Sequence, residues 1–584
     1  MNVRTLRIIL ALVGIVVVAG IFFLRTGAEK PCYVFLICLD AVRPDHLGCY
    51  GHPGSTSPRI DELARNGALF RDAVTQAPWT LPSIATVLTS TFPCQHGARR
   101  TEGTQVAYGG VTGNFVELLT SKGFETGLFT GGLTLEAKIP PQELSGAALD
   151  WLRERLDKRC FIAIHHYYTH SPYVADRECL ADLDPDYTGR FMYRFGDFEM
   201  LRKARVGRLA EVIHLSDQEI NHIEALYDCQ IMKADESVGM IADSLRAWGC
   251  LDQSMIIVFA DHGEEFLEHG SIDHGQTVYE ETIRVPLIVF CPSLIKGRKE
   301  IERQVGLIDL APTILDAVGV EKPSYFEGLS LMPTVSRRFK APHEVQRPCG
   351  LPASCLVSES IARRNEKKAI RRPPWKLIYD PFFGACELYN LSLDPRETRN
   401  LIASEPTTAS RLTDTLLTMQ KYYPGGWCVA WRGPEGEPVR GRVNVRGKLL
   451  EAVGHNVYPE IDTETDSLIV SGDRGAVRFT TRATRDWQGV EIRMETGADA
   501  EFELFTGKRS PVRARIGYET SGRDLPAVVR PSEAAVDRHN LNTLFDDPGA
   551  ECVIFWLEPG SAPTAKQKSQ AELRKQLKAI GYID

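Results

Sequence analysis

Tyr33–Asp40, YVFLICLD, is apolar for seven positions and ends in an acid. An unbroken apolar run of this length suits a strand buried on both faces, as in a parallel sheet. Similar runs recur at FETGLFTG, CFIAIHHY, SMIIVFAD and RVPLIVFCP. Helical patterns lie between them over Ser57–Asn66, Leu81–Leu88, Asn114–Lys122, Ala148–Leu156 and Gln218–Trp248. Strands alternating with helices predict an α/β fold around a mostly parallel sheet. Ligands in such sheets bind just beyond the carboxyl ends of the strands. Asp40, His170 and Asp261 all fall at or soon after such ends.

The chain has 584 residues. That length fits two to four domains, or one large α/β unit with an appendage. Its net charge of −8 lends no support to nucleic-acid binding. The start, MNVRTLRIILALVGIVVVAGIFFLRTG, has Arg4 and Arg7 before an apolar run from Ile8 to Leu24. The run is near the lower limit for spanning a bilayer, and the arginines hold its start in the cytoplasm. With no A-x-A-like cleavage site, the sequence favours an uncleaved membrane anchor over a removed signal peptide. Either way the body is exported, to the periplasmic or extracellular side.

Fourteen cysteines in an exported chain permit disulfides. They show no paired C-x-x-C zinc pattern. Cys38 reads as a buried thiol, and Cys349 and Cys355 flank a proline-containing loop where they can pair. Val174–Ser216 reads as an insertion near the mouth of a site. From about Gly425 short alternating strands separated by Gly and Asp turns take over. The expected organisation is a membrane segment over 1–30, an α/β domain over 31–424, a β-rich domain over 425–562 and an amphipathic helix over 563–584.

Three stretches can carry chemistry. In CLDAVRPDHLGCYG, Asp40 ends a strand, a place where an Asp alone is usually a turn or cap residue. In APWTLPSIATVLTS, Thr80 sits at a helix start with Pro82 close behind, which locally reads as an N-cap. The same helix end attracts an anionic group, and a hydroxyl there becomes a nucleophile if a metal lowers its pKa. In FADHGEEFLEHGSIDHGQTVYEETIRVPLIVFCP, the pair Asp261–His262 follows a strand, with His269 and His274 soon after. Oxygen and imidazole donors of this kind suit Zn, Mn, Mg or Ca.

Taken in order, these stretches resemble the sulfatase family of the alkaline phosphatase superfamily, over most of Tyr33 to about Tyr422. HHYYTHSPY is similar to the family's H-x-P-Y strand end, and IDLAPTILDAVG and ELYNLSLDPRETRNL to later landmarks. The terminal LKAIGYID is similar to the ending of many bacterial members. The resemblance implies an alkaline-phosphatase-like α/β/α sandwich with a smaller C-terminal subdomain. It also implies that Asp40, Thr80, Asp261 and His262 hold a divalent metal ion (Ca, Mg, Mn or Zn). Thr80 falls on the nucleophile. His170 and His274 fall where members contact the anionic ester or protonate the leaving group, and His96 falls near the same pocket.

The chain departs from the family at the nucleophile. Typical sulfatases carry C/S-x-P-x-R and oxidise its first residue to formylglycine. Here the aligned residues are Thr80, Leu81, Pro82, Ser83 and Ile84. Oxidising threonine at Cβ gives a ketone, so formylglycine is not expected at Thr80. Ala41 stands where many members have a second Asp, and His274 stands for a lysine. The set is closer to the superfamily's threonine-nucleophile members, whose hydroxyl takes up a phosphoryl group.

The expected activity is therefore a metal-dependent hydrolase of an anionic sulfate, or more readily phosphate or phosphonate, ester through a covalent Thr80 intermediate. Two alternatives stand beside it. One is transfer of a phospho-head group onto envelope lipid or glycan; the other is a non-catalytic binding protein on a sulfatase scaffold. Expected partners are a small-molecule, glycan or lipid ester and the membrane, with no nucleic acid.

Overall fold

In the computed structural model, the described residues are 30–100, 106–107, 113–131, 138–196, 214–339, 346–359, 362, 366–380 and 386–420, plus backbone strands between 426 and 557. Seven strands build the central sheet. They are β1 (Tyr33–Leu39), β2 (Ala68–Phe70), β3 (Phe124–Thr130), β4 (Arg159–His166), β5 (Ser254–Phe259), β6 (Leu287–Phe290) and β7 (Lys299–Ile301). Their order is β7-β2-β6-β5-β1-β4-β3. The run β5-β1-β4-β3 is parallel throughout, whereas β6 is antiparallel to both β5 and β2. The sheet is thus mixed but mostly parallel, as the apolar runs predict.

Every residue of β1 and β5 is buried, because helices cover both faces of this part of the sheet. The helices that matter here are α1 (Pro58–Asn66), α2 (Thr80–Thr89), α3 (Phe115–Ser121), α4 (Pro141–Arg153), α5 (Asp217–Ala247) and α6 (Leu310–Val318). α5 starts with a capping box in which the Ser216 hydroxyl accepts from Glu219 N–H and the Glu219 carboxylate accepts from Ser216 N–H. α4 begins at Pro141, well before the apolar pattern from Ala148 marks it, and stops at Arg153. Proline at the first helical position needs no N–H partner, and Leu144 and Ser145 in the added turn are buried.

A second, smaller core lies under an antiparallel four-stranded sheet of β8 (Leu356–Ser358), β9 (Lys368–Arg372), β10 (Trp375–Tyr379) and β11 (Cys386–Asn390). The helix α7 (Pro406–Gln420) packs on it through Ala409, Leu412 and Leu416. Further along the chain, strands between Gly426 and Leu557 form a five-stranded and a six-stranded sheet.

Cys349 and Cys355 do not pair; both are free thiols, and a disulfide instead joins Cys179 to Cys229. It fastens the start of the Val174–Ser216 segment to α5, where His222 Nδ1 also lies 2.7 Å from Asp184. Partner choice here depends on which helices meet, which cysteine spacing does not encode. The expected membrane segment over 1–30, except for residue 30, and the expected C-terminal helix over 563–584 lie outside the described residues. Among the described residues no helix is long and apolar enough to cross a membrane.

Candidate active site

The parallel register sets the carboxyl ends of β4, β1 and β5 side by side, pairing Cys38 with His165 and with Phe259. Asp40 leaves β1 there, and Asp261 and His262 leave β5. The chain turns sharply after Asp40: Ala41 adopts φ 58°, a left-handed conformation unusual for alanine. That turn points the Ala41 N–H at Asp261 Oδ1, 3.3 Å away. The next glycine has no room for a side chain, since a Cβ on Gly263 would lie 2.0 Å from the Glu281 carbonyl.

Thr80 is not the cap of α2. The cap is Trp79, whose side chain makes no capping bond, and Thr80 is the first helical residue. Its hydroxyl is therefore not spent on the helix end. Thr80 Oγ1 lies 3.1 Å from His262 Nε2 and 3.5 Å from Asp40 Oδ2. The first turn of α2 is fastened in place by Ser83, whose hydroxyl donates to the Asp261 carbonyl at 2.6 Å. Ile84, at the position of the family arginine, is buried in the main core.

His262 Nδ1 lies 2.8 Å from the Gly263 carbonyl and so donates its proton there. Nε2 is then the bare nitrogen, and it faces Asp40 Oδ1 and Asp261 Oδ2, each at 3.5 Å. Asp40, Asp261 and His262 are all fully buried. Asp40 Oδ1 and Asp261 Oδ2 accept no hydrogen bond. Two buried carboxylates and a lone-pair nitrogen converging without donors is costly unless a cation sits between them. Burial, then the Asp40 charge, pushes Asp261 up. Burial also opposes ionisation of Asp40, but the His165 bond and then the charges of His170 and His165 hold it well below the usual carboxylate range. With Thr80 Oγ1 beside it, this donor set fits a divalent ion.

His170 and His274 join the same cluster. The His274 ring lies 4.2 Å from that of His262 and 4.7 Å from that of His170, centroid to centroid. His170 Nδ1 donates to the Ser171 carbonyl at 2.6 Å, leaving its other ring edge toward His274. His274 Nδ1 is held by Asp273 Oδ1 at 2.9 Å and Glu264 Oε1 at 3.1 Å. Burial pulls this imidazole down, but the two carboxylates raise it to about 9. His274 thus keeps a positive charge where the resemblance places lysine. His96 is buried beyond α2, at the end of a short helix Pro93–His96: its ring nitrogens bond the Thr86 hydroxyl of α2 at 3.0 Å and the Ala98 N–H at 3.1 Å.

Several contributors escape the sequence reading. His165 Nε2 lies 2.9 Å from Asp40 Oδ2. Its signal is the His165–His166 doublet at a strand end, of which alternation aims one member at the site. Glu264 is fixed by the Tyr173 hydroxyl at 2.5 Å. The Lys138 ammonium donates to the carbonyls of Tyr168, His170 and Pro172, clasping the turn that carries His170.

The sulfatase family model matches residues 33–139 and 136–320. The model of the N-sulphoglucosamine sulphohydrolase C-terminal region matches 267–421. The chain belongs to the sulfatase family. Among curated relatives of this sulfatase-family chain, bovine (Bos taurus) arylsulfatase K is 30% identical over 211 residues, covering 35% of this chain and 38% of the relative. An N-acetylglucosamine-6-O-sulfatase of Bacteroides thetaiotaomicron is 31% identical over 202 residues, covering 34% and 35%. The chain spans under two fifths of the length of these relatives.

The fold is shared with a protein solved with its substrate D-glucosamine-2-N,6-O-disulfate (TM-score 0.55, 20% identity, 67% of this chain and 98% of that one). It is also shared with the phosphonate monoester hydrolase of Agrobacterium radiobacter (TM-score 0.54, 19% identity, 67% and 96%).

Proposed function

We propose that this chain is a divalent-cation-dependent hydrolase of an anionic ester, acting through a covalent intermediate on Thr80. The reading rests on one observation: Thr80 Oγ1 stands 3.1 Å from the bare Nε2 of His262, beside two buried carboxylate oxygens that have no hydrogen-bond donor. Asp40, Asp261, His262 and Thr80 would hold the ion. Bound there, it supplies Lewis acidity and lowers the proton affinity of the hydroxyl.

The chain's own groups do the rest. The N-terminus of α2 presents backbone N–H groups to the anionic group of the ester. The His274 imidazolium adds a fixed positive charge to the same space. The Thr80 hydroxyl gives up its proton to solvent as Oγ1 bonds phosphorus and the bond to the leaving oxygen breaks, and His274 or His170 delivers a proton to that oxygen. Water then attacks the phosphothreonine, releasing the acid and restoring the Thr80 hydroxyl.

A phosphate or phosphonate ester is favoured over a sulfate ester. A plain threonine sulfate has no route equivalent to the formylglycine hydrate, which expels sulfate by re-forming its aldehyde. The names of the relatives cover both sulfate and phosphonate esters, so the family leaves both open, and Thr80 supports the phosphorus ester. The Arg4 and Arg7 flank and the apolar run to Leu24 support a body exported on a membrane anchor.

The deciding experiment is mass spectrometry of the Thr80 peptide, quenched during turnover of an aryl phosphate, an aryl phosphonate or an aryl sulfate with Mn, Zn, Mg or Ca present. A phosphoryl or phosphonyl adduct on Thr80 is expected. Turnover at full rate by Thr80→Ala would overturn the mechanism. Absence of turnover on all three esters, with metal bound, would overturn the function.

A further inference from the structure

A second group of metal-binding side chains lies on the flank of the sheet, built from elements that the Thr80 cluster does not use. His46 closes a short turn after β1, His52 follows in the next loop, and Asp228 projects from the middle of α5. His46 Nδ1 lies 2.7 Å from Asp228 Oδ1, and His52 Nε2 lies 3.5 Å from Asp228 Oδ2. The two imidazoles are stacked, 5.6 Å between centroids and 21° apart in tilt. One nitrogen from each and one Asp228 oxygen all lie within 4.8 Å of one another. His46 and Asp228 are buried, and His52 is half-buried.

We infer that His46, His52 and Asp228 form a structural site for a borderline divalent ion such as zinc, separate from the Thr80 site. Two imidazoles and one carboxylate are a donor set of the kind zinc takes. With bonds of about 2.0–2.1 Å, neighbouring donors around a tetrahedral ion stand about 3.3 Å apart. In this structure the two rings reach different oxygens of Asp228, His46 Nδ1 at 2.7 Å from Oδ1 and His52 Nε2 at 3.5 Å from Oδ2, so the carboxylate spans both rings.

The surroundings fit as well. Thr56 Oγ1 donates to the His46 carbonyl at 2.6 Å, fixing the turn. The Gly54 N–H donates to His52 Nδ1 at 3.2 Å and the Gly54 carbonyl lies 3.4 Å from the same nitrogen, holding the ring with Nε2 turned toward Asp228. Tyr227 packs edge-on to His46 at 5.0 Å and shields it from water. Local charge is in deficit of cations: Arg43 pairs with Asp45 and Glu268, while Asp228 and the nearby Glu224 add two further carboxylates. Glu224 stands one helical turn before Asp228, on the same face of α5. An ion here would staple the chain that leaves Asp40 to a 31-residue helix.

The inference does not depend on the hydrolase reading, and its test separates the two. Full-length chain carrying Asp40→Asn and Asp261→Asn is stripped with chelator and dialysed against zinc, and bound metal is measured by atomic emission. One zinc per chain is expected, together with a rise in Tm on zinc addition. Adding His52→Ala, or the shape-preserving Asp228→Asn, should weaken that binding about tenfold or more and abolish the Tm rise. The inference is overturned if the double variant binds no zinc. It is equally overturned if its zinc content and Tm response survive both further substitutions, which would assign the metal to free thiols.

Discussion

Thr80 Oγ1 lies 3.1 Å from His262 Nε2, and that nitrogen carries no proton because Nδ1–H is given to the Gly263 carbonyl. Thr80→Ala should lower kcat about 10⁴-fold or more, as expected for loss of a nucleophile, while leaving the fold intact because Trp79, not Thr80, caps α2. Steady-state kinetics with circular dichroism as the fold control checks this.

His165 Nε2 lies 2.9 Å from Asp40 Oδ2, the same oxygen that Thr80 Oγ1 approaches at 3.5 Å. His165→Gln should reduce divalent-ion affinity or activity about 10–100-fold, in the manner of a residue that orients a ligand. Metal titration followed by isothermal calorimetry reads it. An unchanged affinity and rate would remove His165 from the site's architecture.

His269 reports on pH-dependent stability away from the nucleophile. Burial pulls its imidazole down, but its 2.6 Å bond to Glu281 and that carboxylate's charge raise it to about 9. A histidine raised on folding stabilises fully below its unfolded value, about 6.5. That contribution is lost as pH climbs toward about 9. The Tm of the wild type should fall between pH 6.5 and 9.5 by more than that of His269→Gln, and parallel curves would refute the assignment.

The Cys179–Cys229 disulfide closes a loop of 50 residues. Chain-entropy reasoning puts its contribution at about 4 kcal/mol. Cys179→Ser with Cys229→Ser, or dithiothreitol on the wild type, should lower Tm by several degrees. Urea titrations that match before and after reduction would show the bond to be absent.

Lys138 is half-buried and donates to three carbonyls of the turn that carries His170. Lys138→Met leaves those acceptors without a donor and should cost about 1–3 kcal/mol of stability. KM should rise more than kcat falls if His170 serves substrate binding. A separate measurement of each parameter distinguishes this from a uniform loss of folded protein.

Much of this arrangement is legible in the sequence because strand ends are. YVFLICLD and SMIIVFAD each pair a buried apolar run with a terminal acid, and in a parallel sheet such runs must finish on the same side. That alone brings Asp40 near Asp261 and His262. The status of Thr80 was less legible: a threonine before L-P-S reads as a cap, and only the extended backbone at Trp79 moves the cap back by one residue. The support of His274 by Glu264 and Asp273 depends on a left-handed bend at Asp273, φ 74°, which no local propensity predicts for aspartate in a strand. The pairing of Cys179 with Cys229 depends on where the Val174–Ser216 segment docks, a tertiary matter throughout.

The Ser83 bond to the Asp261 carbonyl has a kinetic corollary. α2 and the turn after β5 are locked to one another at 2.6 Å beside the reacting hydroxyl, so neither can swing aside as a gate. Passage of ester and product then falls to the wall formed by the His170 turn, which Lys138 clasps. Loosening that wall should speed release without disturbing the bond-making geometry, whereas loosening Ser83 should slow the chemistry and leave release untouched.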